Sequence, residues 1–319
     1  MAYEDDPEVF SEAYALYLKG NYQHAYDLVT GAMSTYPQEA QRLFSWRFDM
    51  AARMGKPDLA EDLLEEALDN GYFYSEFALR KDEDMRDMQG RPRFEALVTR
   101  NFQMLALAQQ SSTAKLEIVN NGNPGEKGQT SLLLALHGNN SNIKRFKVNW
   151  RCLIGSDWLV ALPQSSQLSG GDSYVWNDME VTRSELITHY KEISRNYLID
   201  ASKSLVAGFS KGGQVAILSN LDGLYPFSGF IAIAPYIPDV PELLRLVDES
   251  KRPLPRGYFL LGEDDKLCTP GARELFEGMI KRGMVCGLKV FPGLEHAFPP
   301  DFNKLLPGVI DFLLGKDPS

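Results

Sequence analysis

From about residue 111 onward, short apolar runs alternate with longer stretches in which apolar positions recur every three or four residues. Residues 113–119, 131–136, 158–162, 204–207, 229–234, 257–261 and 288–291 have the length and composition of buried strands. Between and after them, residues 181–197, 212–220, 241–250, 271–282 and 301–314 read as amphipathic helices. Repeated strand–helix alternation predicts a mainly parallel sheet covered on both faces, with ligands received at the carboxyl ends of its strands.

The first third is patterned differently. Gly20, Gly55 and Gly90 recur at a spacing of 35 residues, and Ala25/Ala60, Leu28/Leu63, Val29/Leu64 and Ala32/Ala67 keep the same spacing. Such a period belongs to stacked helical hairpins, in which glycine turns the chain and alanine lets paired helices approach. The series Gly20, Tyr22, Ala25, Val29, Ala32, Pro37 resembles the second half of a tetratricopeptide repeat. Gly55, Ala60, Leu64 and Ala67 resemble a second copy, and the third unit keeps Gly90, Pro92 and Phe94. The expected architecture is therefore multi-domain: an all-α, tetratricopeptide-like helical repeat over 1–110 and an α/β domain over 111–319, with the break at Ser111-Ser112-Thr113.

Length and charge fit this division. A chain of 319 residues is long for one domain, and its 44% hydrophobic content supports a substantial core. The net charge of −10 is concentrated at one end: residues 1–110 hold 20 acidic and 11 basic side chains, against 23 and 22 in the remainder. An acidic domain repels phosphate backbones and anionic lipid, so nucleic acid and membrane surfaces are not the expected partners. No apolar run is long enough to span a bilayer, and the start, Met1 to Glu8, is acidic where an export signal is basic. Three cysteines, Cys152, Cys268 and Cys286, provide neither a paired disulfide framework nor four zinc ligands, which suits a reducing cytoplasm. No metal or cofactor is expected.

The chemistry-bearing residues lie in the second part. Gly208-Phe209-Ser210-Lys211-Gly212-Gly213 stands between a strand and a helix, the context in which Gly-x-Ser-x-Gly forms a nucleophile elbow with serine held above the sheet. Such a serine needs a downstream acid and histidine, in that order. Only His296 follows Ser210, in Pro292-Gly293-Leu294-Glu295-His296-Ala297-Phe298 after the last predicted strand. The acid is expected in Gly262-Glu263-Asp264-Asp265, with Asp239 a more distant candidate. An oxyanion hole would use the Lys211 N–H and a donor from His137-Gly138-Asn139-Asn140, with Asn139 ahead of Gly138. His137 is expected to serve structurally, and His24 and His189 to lie outside the chemistry. Gly170, Gly171, Tyr174 and Trp176 mark the 164–180 loop as a candidate pocket wall, with Tyr174 and Trp176 either substrate contacts or packing under the sheet edge. No long insertion separates the later strands, so no large lid is expected.

Taken together, Leu136-His137-Gly138, Pro163-Gln164-Ser165, Trp176-Asn177-Asp178, the Gly208–Gly213 turn, the Gly262–Asp265 turn and His296 resemble an α/β-hydrolase of the phospholipase/carboxylesterase and acyl-protein thioesterase group. The His296 loop also resembles the dienelactone hydrolase pattern. Members of the superfamily often carry the acid three residues after the glycine, which implies Asp265, followed by Asp264. Lys211 departs from the group, which commonly has glutamine there. The resemblance implies a serine hydrolase of carboxylic esters or thioesters, with the helical repeat serving substrate access or a protein partner. The same residues could serve a peptidase or acyltransferase, and a helical adaptor carrying an inactive hydrolase-like domain is the alternative from another class.

Overall fold

The computed structural model describes residues 7–119, 129–153 and 156–316, so most of the acidic start, residues 1–6, lies outside the described residues. The chain divides into two compact units, Met1–Ser112 with Leu168–Ser173, and Thr113–Gln167 with Tyr174–Ser319. The segment Leu168–Ser173, expected within the second domain, thus belongs to the first unit. No helix among the described residues is long and apolar enough to cross a membrane.

The first unit contains α1 (Glu8–Leu18), α2 (Tyr22–Ala32), α3 (Ala40–Arg53), α4 (Pro57–Asp69) and α5 (Pro92–Gln109). The glycines 35 residues apart have a common job. Gly20, Gly55 and Gly90 have φ of +72°, +67° and +80°, the left-handed region in which a β-carbon is disfavoured. After α1, Gly20 N–H donates to Tyr17 O (2.8 Å) and Asn21 N–H to Leu16 O (3.0 Å). After α3, Gly55 and Lys56 repeat this with Ala52 O (2.9 Å) and Ala51 O (3.0 Å). These paired bonds satisfy the last carbonyls of each helix and reverse the chain. Ala13, Ala25, Ala60 and Ala67 are fully or almost fully buried, where their small side chains let paired helices close up. The third unit differs, since a π-helical turn at Phe77–Lys81 and a 3-10 turn at Glu83–Met88 stand before α5 in place of an α-helix. The buried Asn101 amide closes this region, accepting from Tyr74 N (2.7 Å) and donating to Tyr74 O (2.8 Å). Within the same unit, Gly171 N–H donates to Phe73 O (3.0 Å) and Leu168 N–H to Gln109 Oε1 (2.7 Å).

The second unit is built on β1 (Lys115–Val119), β2 (Ser131–Leu136), β3 (Trp158–Gln164), β6 (Leu205–Phe209), β7 (Gly229–Ile233), β8 (Arg256–Gly262) and β9 (Cys286–Phe291), while β4 (Leu168–Gly170) and β5 (Ser173–Tyr174) form a separate small pair. The sheet order is β1-β3-β2-β6-β7-β8-β9, parallel throughout except for the antiparallel β1–β3 edge. Its helices are α6 (Ile143–Phe146), α7 (Met179–Asn196), α8 (Lys211–Leu221), α9 (Val240–Asp248), α10 (Thr269–Lys281) and α11 (Phe302–Leu313).

The uninterrupted apolar run of β2 follows from burial on both faces. Leu132, Leu134 and Leu136 join one core with residues of α7 to α10, such as Leu186, Val215, Leu243 and Leu275. Leu133 and Ala135 join the other with α6 and α11, through Phe146, Leu306 and Ile310. Each fully buried leucine contributes about 2 kcal/mol relative to exposure. The chain leaves β3 on one side of β2 and returns as β6 on the other, so the ends of β2 and β6 flank the crevice where such sheets receive ligands.

At Gly55 no atom crowds the position of a β-carbon, so Gly55→Ala tests backbone conformation alone. The expected outcome is a loss of about 1–2 kcal/mol, measured as a lowered urea midpoint with an unchanged slope.

Candidate active site

At the end of β6 the backbone makes a turn that few residues adopt. Ser210 has φ +53° and ψ −120°, although it is not glycine, and α8 begins at the next residue. The conformation is held by Ser210 N–H donating to Ile233 O (2.9 Å), and by Ser210 O accepting from Tyr236 N (3.0 Å) and Gln214 N (3.2 Å). The flanking glycines are needed for space. A β-carbon at Gly208 would collide with the Gly212 carbonyl, and one at Gly212 with the carbonyls of His137 and Leu136. The Gly-x-Ser-x-Gly spacing is therefore a packing requirement that lets α8 start directly against β6 and β2.

His296, in the loop after β9, has Nε2 2.9 Å from Ser210 Oγ and Nδ1 2.6 Å from Asp265 Oδ2. Its ring packs against Phe209 with centroids 4.8 Å apart, and Phe298 stacks on Phe209 at 5.1 Å. Asp265 is buried, whereas Glu263 and Asp264 beside it are exposed. The second Asp265 oxygen accepts from Cys268 N–H (3.0 Å), just ahead of α10. Burial and the neighbouring carboxylate push the Cys268 thiol up to about 12. Asp239 is an exposed helix cap whose Oδ1 accepts from Glu242 N (3.0 Å), which accounts for that acid locally.

The donor atoms of Asp265, Cys268 and His296 lie within 4.8 Å of one another. The 2.6 Å contact between carboxylate and imidazole is the separation of a shared proton. Two ligands of one metal ion, each about 2 Å from it in tetrahedral geometry, stand farther apart.

The loop after β2 is fastened from several directions. His137 is fully buried, its Nδ1 2.7 Å from Gly138 O, and its ring packs on Trp176 at 4.7 Å. A trans peptide directs its C=O and N–H oppositely, so tethering Gly138 O aims Asn139 N–H the other way. Asn139 Oδ1 accepts from Trp176 N (2.9 Å), and its Nδ2 donates to Asn177 Oδ1 (2.8 Å). Asn140 has φ +58°, and Tyr174 N–H donates to Ser141 O (2.9 Å). Neither Asn139 N–H nor Lys211 N–H has an acceptor among the described residues.

Trp176 departs from the expectation of a substrate contact. Its side chain is fully buried and its Nε1–H donates to His137 O (2.8 Å), so it supports the loop from beneath. Tyr174 pairs with this loop through its backbone. Sequence reasoning missed the Cys268 N–H contact and the way Trp176 and Asn177, the latter named only as part of a motif, hold the loop after β2. Of these only Cys268 carried a local signal, an Asp three residues earlier at a helix start followed by Pro270. A cavity of about 330 Å³, lined by Phe227, Leu254, Arg256 and Leu313 among others, lies where β7 and β8 begin, at the opposite end of the strands from Ser210.

Residues 7–108 match the family model of the A/B hydrolase-like, N-terminal domain. The structure is similar to the crystal structure of an uncharacterized protein from Bacillus cereus ATCC 10987, with 24% identity and a TM-score of 0.54, over 96% of this chain and 97% of that one. It is also similar to esterase PE8, with 17% identity and a TM-score of 0.53, over 63% of this chain and 99% of that one. The second unit has the α/β-hydrolase fold, preceded by a mostly helical region.

The buried imidazole of His137 gives a test of this packing. Desolvation holds it down at about 4, below its ordinary 6.5, so the unfolded chain binds the proton more readily between those values. Stability is then fully present above pH 6.5 and falls as the pH drops toward 4, by an amount on the order of 3 kcal/mol. Urea denaturation at pH 7 and pH 4.5 should show a larger fall for the wild type than for His137→Gln.

Proposed function

We propose that the protein is a serine hydrolase of carboxylic esters or thioesters, acting through a covalent acyl-enzyme. The observation that carries this is the continuous chain from Ser210 Oγ to His296 Nε2 (2.9 Å) and from His296 Nδ1 to Asp265 Oδ2 (2.6 Å). Ser210 Oγ attacks the carbonyl carbon while His296 Nε2 takes its proton. Negative charge develops on the carbonyl oxygen and is met by the N–H groups of Asn139 and Lys211, with the start of α8 adding its positive end. His296 then gives the proton to the leaving alcohol or thiol as the C–O or C–S bond breaks. Water, deprotonated by the same imidazole, attacks the acyl carbon and regenerates Ser210. Buried Asp265 holds the ring in the required tautomer and stabilises the imidazolium. Cys268 N–H keeps that carboxylate in place.

Two sets of variants test the proposal. Ser210→Ala and His296→Ala are each expected to lower turnover of a 4-nitrophenyl ester by at least roughly 10³-fold while melting cooperatively, because the members act as a unit. Near wild-type turnover by either folded variant would remove the mechanism. Asp265→Asn is expected to lower kcat by about 10²–10⁴-fold, whereas Asp264→Asn, at an exposed carboxylate, should change it less than threefold or so. The reverse order would transfer the orienting role to Asp264.

A further inference from the structure

Lys211 is an unusual residue to find beside a nucleophile. It is the first residue of α8, where the helix dipole is positive and a cation is disfavoured. It is half-buried, and that burial holds its ammonium below the ordinary lysine value. Its Nζ donates to the neutral Gln214 Oε1 at 2.7 Å, and no carboxylate among the described residues pairs with it. The buried acid of the candidate site, Asp265, is engaged by His296 and Cys268 N–H. A half-buried cation at a helix start, with only a neutral acceptor, costs stability that a glutamine would not. The ammonium, the helix terminus and the N–H groups of Lys211 and Asn139 together make the surroundings of Ser210 favourable to negative charge.

We infer that Lys211 is a specificity-determining residue that favours esters carrying a carboxylate on the acyl chain. The acyl side is favoured over the leaving group by position. Lys211 supplies the N–H beside the acyl carbonyl oxygen, whereas the leaving group departs toward His296, which protonates it. A substrate carboxylate would give the ammonium the charged partner that the protein does not provide, in a charge-assisted contact. This inference rests on the hydrolase mechanism above and concerns which acyl chain that site accepts.

The test compares two activated esters with six-carbon acyl chains, 4-nitrophenyl hydrogen adipate and 4-nitrophenyl hexanoate, with spontaneous hydrolysis subtracted. The quantity read is the ratio of their kcat/KM values, adipate over hexanoate, for the full-length wild type, Lys211→Gln and Lys211→Arg. The ratio is expected to exceed one in the wild type and to fall about tenfold in Lys211→Gln, while Lys211→Arg keeps most of it. Raising the ionic strength should lower the ratio in the wild type and leave it nearly constant in Lys211→Gln. An equal ratio in wild type and Lys211→Gln, or a wild-type preference for hexanoate at low salt, overturns the inference and leaves the hydrolase proposal standing. Failure of the wild type to turn over either ester overturns both.

Discussion

The conformation of one residue governs the candidate site. Ser210 sits at φ +53° and ψ −120°, a backbone state that costs on the order of 1–3 kcal/mol for a residue with a side chain. It persists because its surroundings determine it from three sides. Its N–H is taken by β7, its carbonyl by Tyr236 and Gln214, and the glycines at 208 and 212 let α8 approach β6 and β2 without collision. The turn presents Oγ at the switch point of the sheet and leaves the hydroxyl within reach of the loop after β9.

The partners of this turn show the same economy of construction. His296 is positioned by a loop, but its ring is limited on one face by Phe209 and at both nitrogens by Ser210 and Asp265. The loop after β2 is tied by His137 to its own next carbonyl and by Trp176 and Asn177 to Asn139. In the proposed mechanism, donors held in this way need no reorganisation when charge develops, which is the condition for effective electrostatic stabilisation.

Much of the fold was legible in the sequence because it depends on local periodicity. The seven strands of the main sheet and α7 to α11 follow apolar patterns that span two or more turns or a full strand. The small elements were not legible. β4 and β5 are three and two residues long and α6 is four, too short to carry a period. The helical third followed its 35-residue repeat as far as α4. The π-helical and 3-10 turns that follow it rest on tertiary packing around Leu79, Met85 and Met88. At the site, residue type and order narrowed the acid to a short run, and it is burial and the 2.6 Å contact with His296 that separate Asp265 from exposed Asp264. Sequence alone leaves Trp176 equally a pocket wall or a packing residue under the sheet edge. Its actual partner, His137 O, is 39 residues away in the chain, and no local pattern reports such a contact.

The central claim is that Ser210 is an activated nucleophile because of where the turn, His296 and Asp265 hold it. The most direct measurement is peptide mapping by mass spectrometry after reaction with a fluorophosphonate. The account predicts one phosphonyl group per chain, on the peptide containing Gly208-Phe209-Ser210-Lys211, with labelling abolished in Ser210→Ala and strongly slowed in His296→Ala. Labelling at another serine, or a folded wild-type protein that remains unmodified, would contradict it.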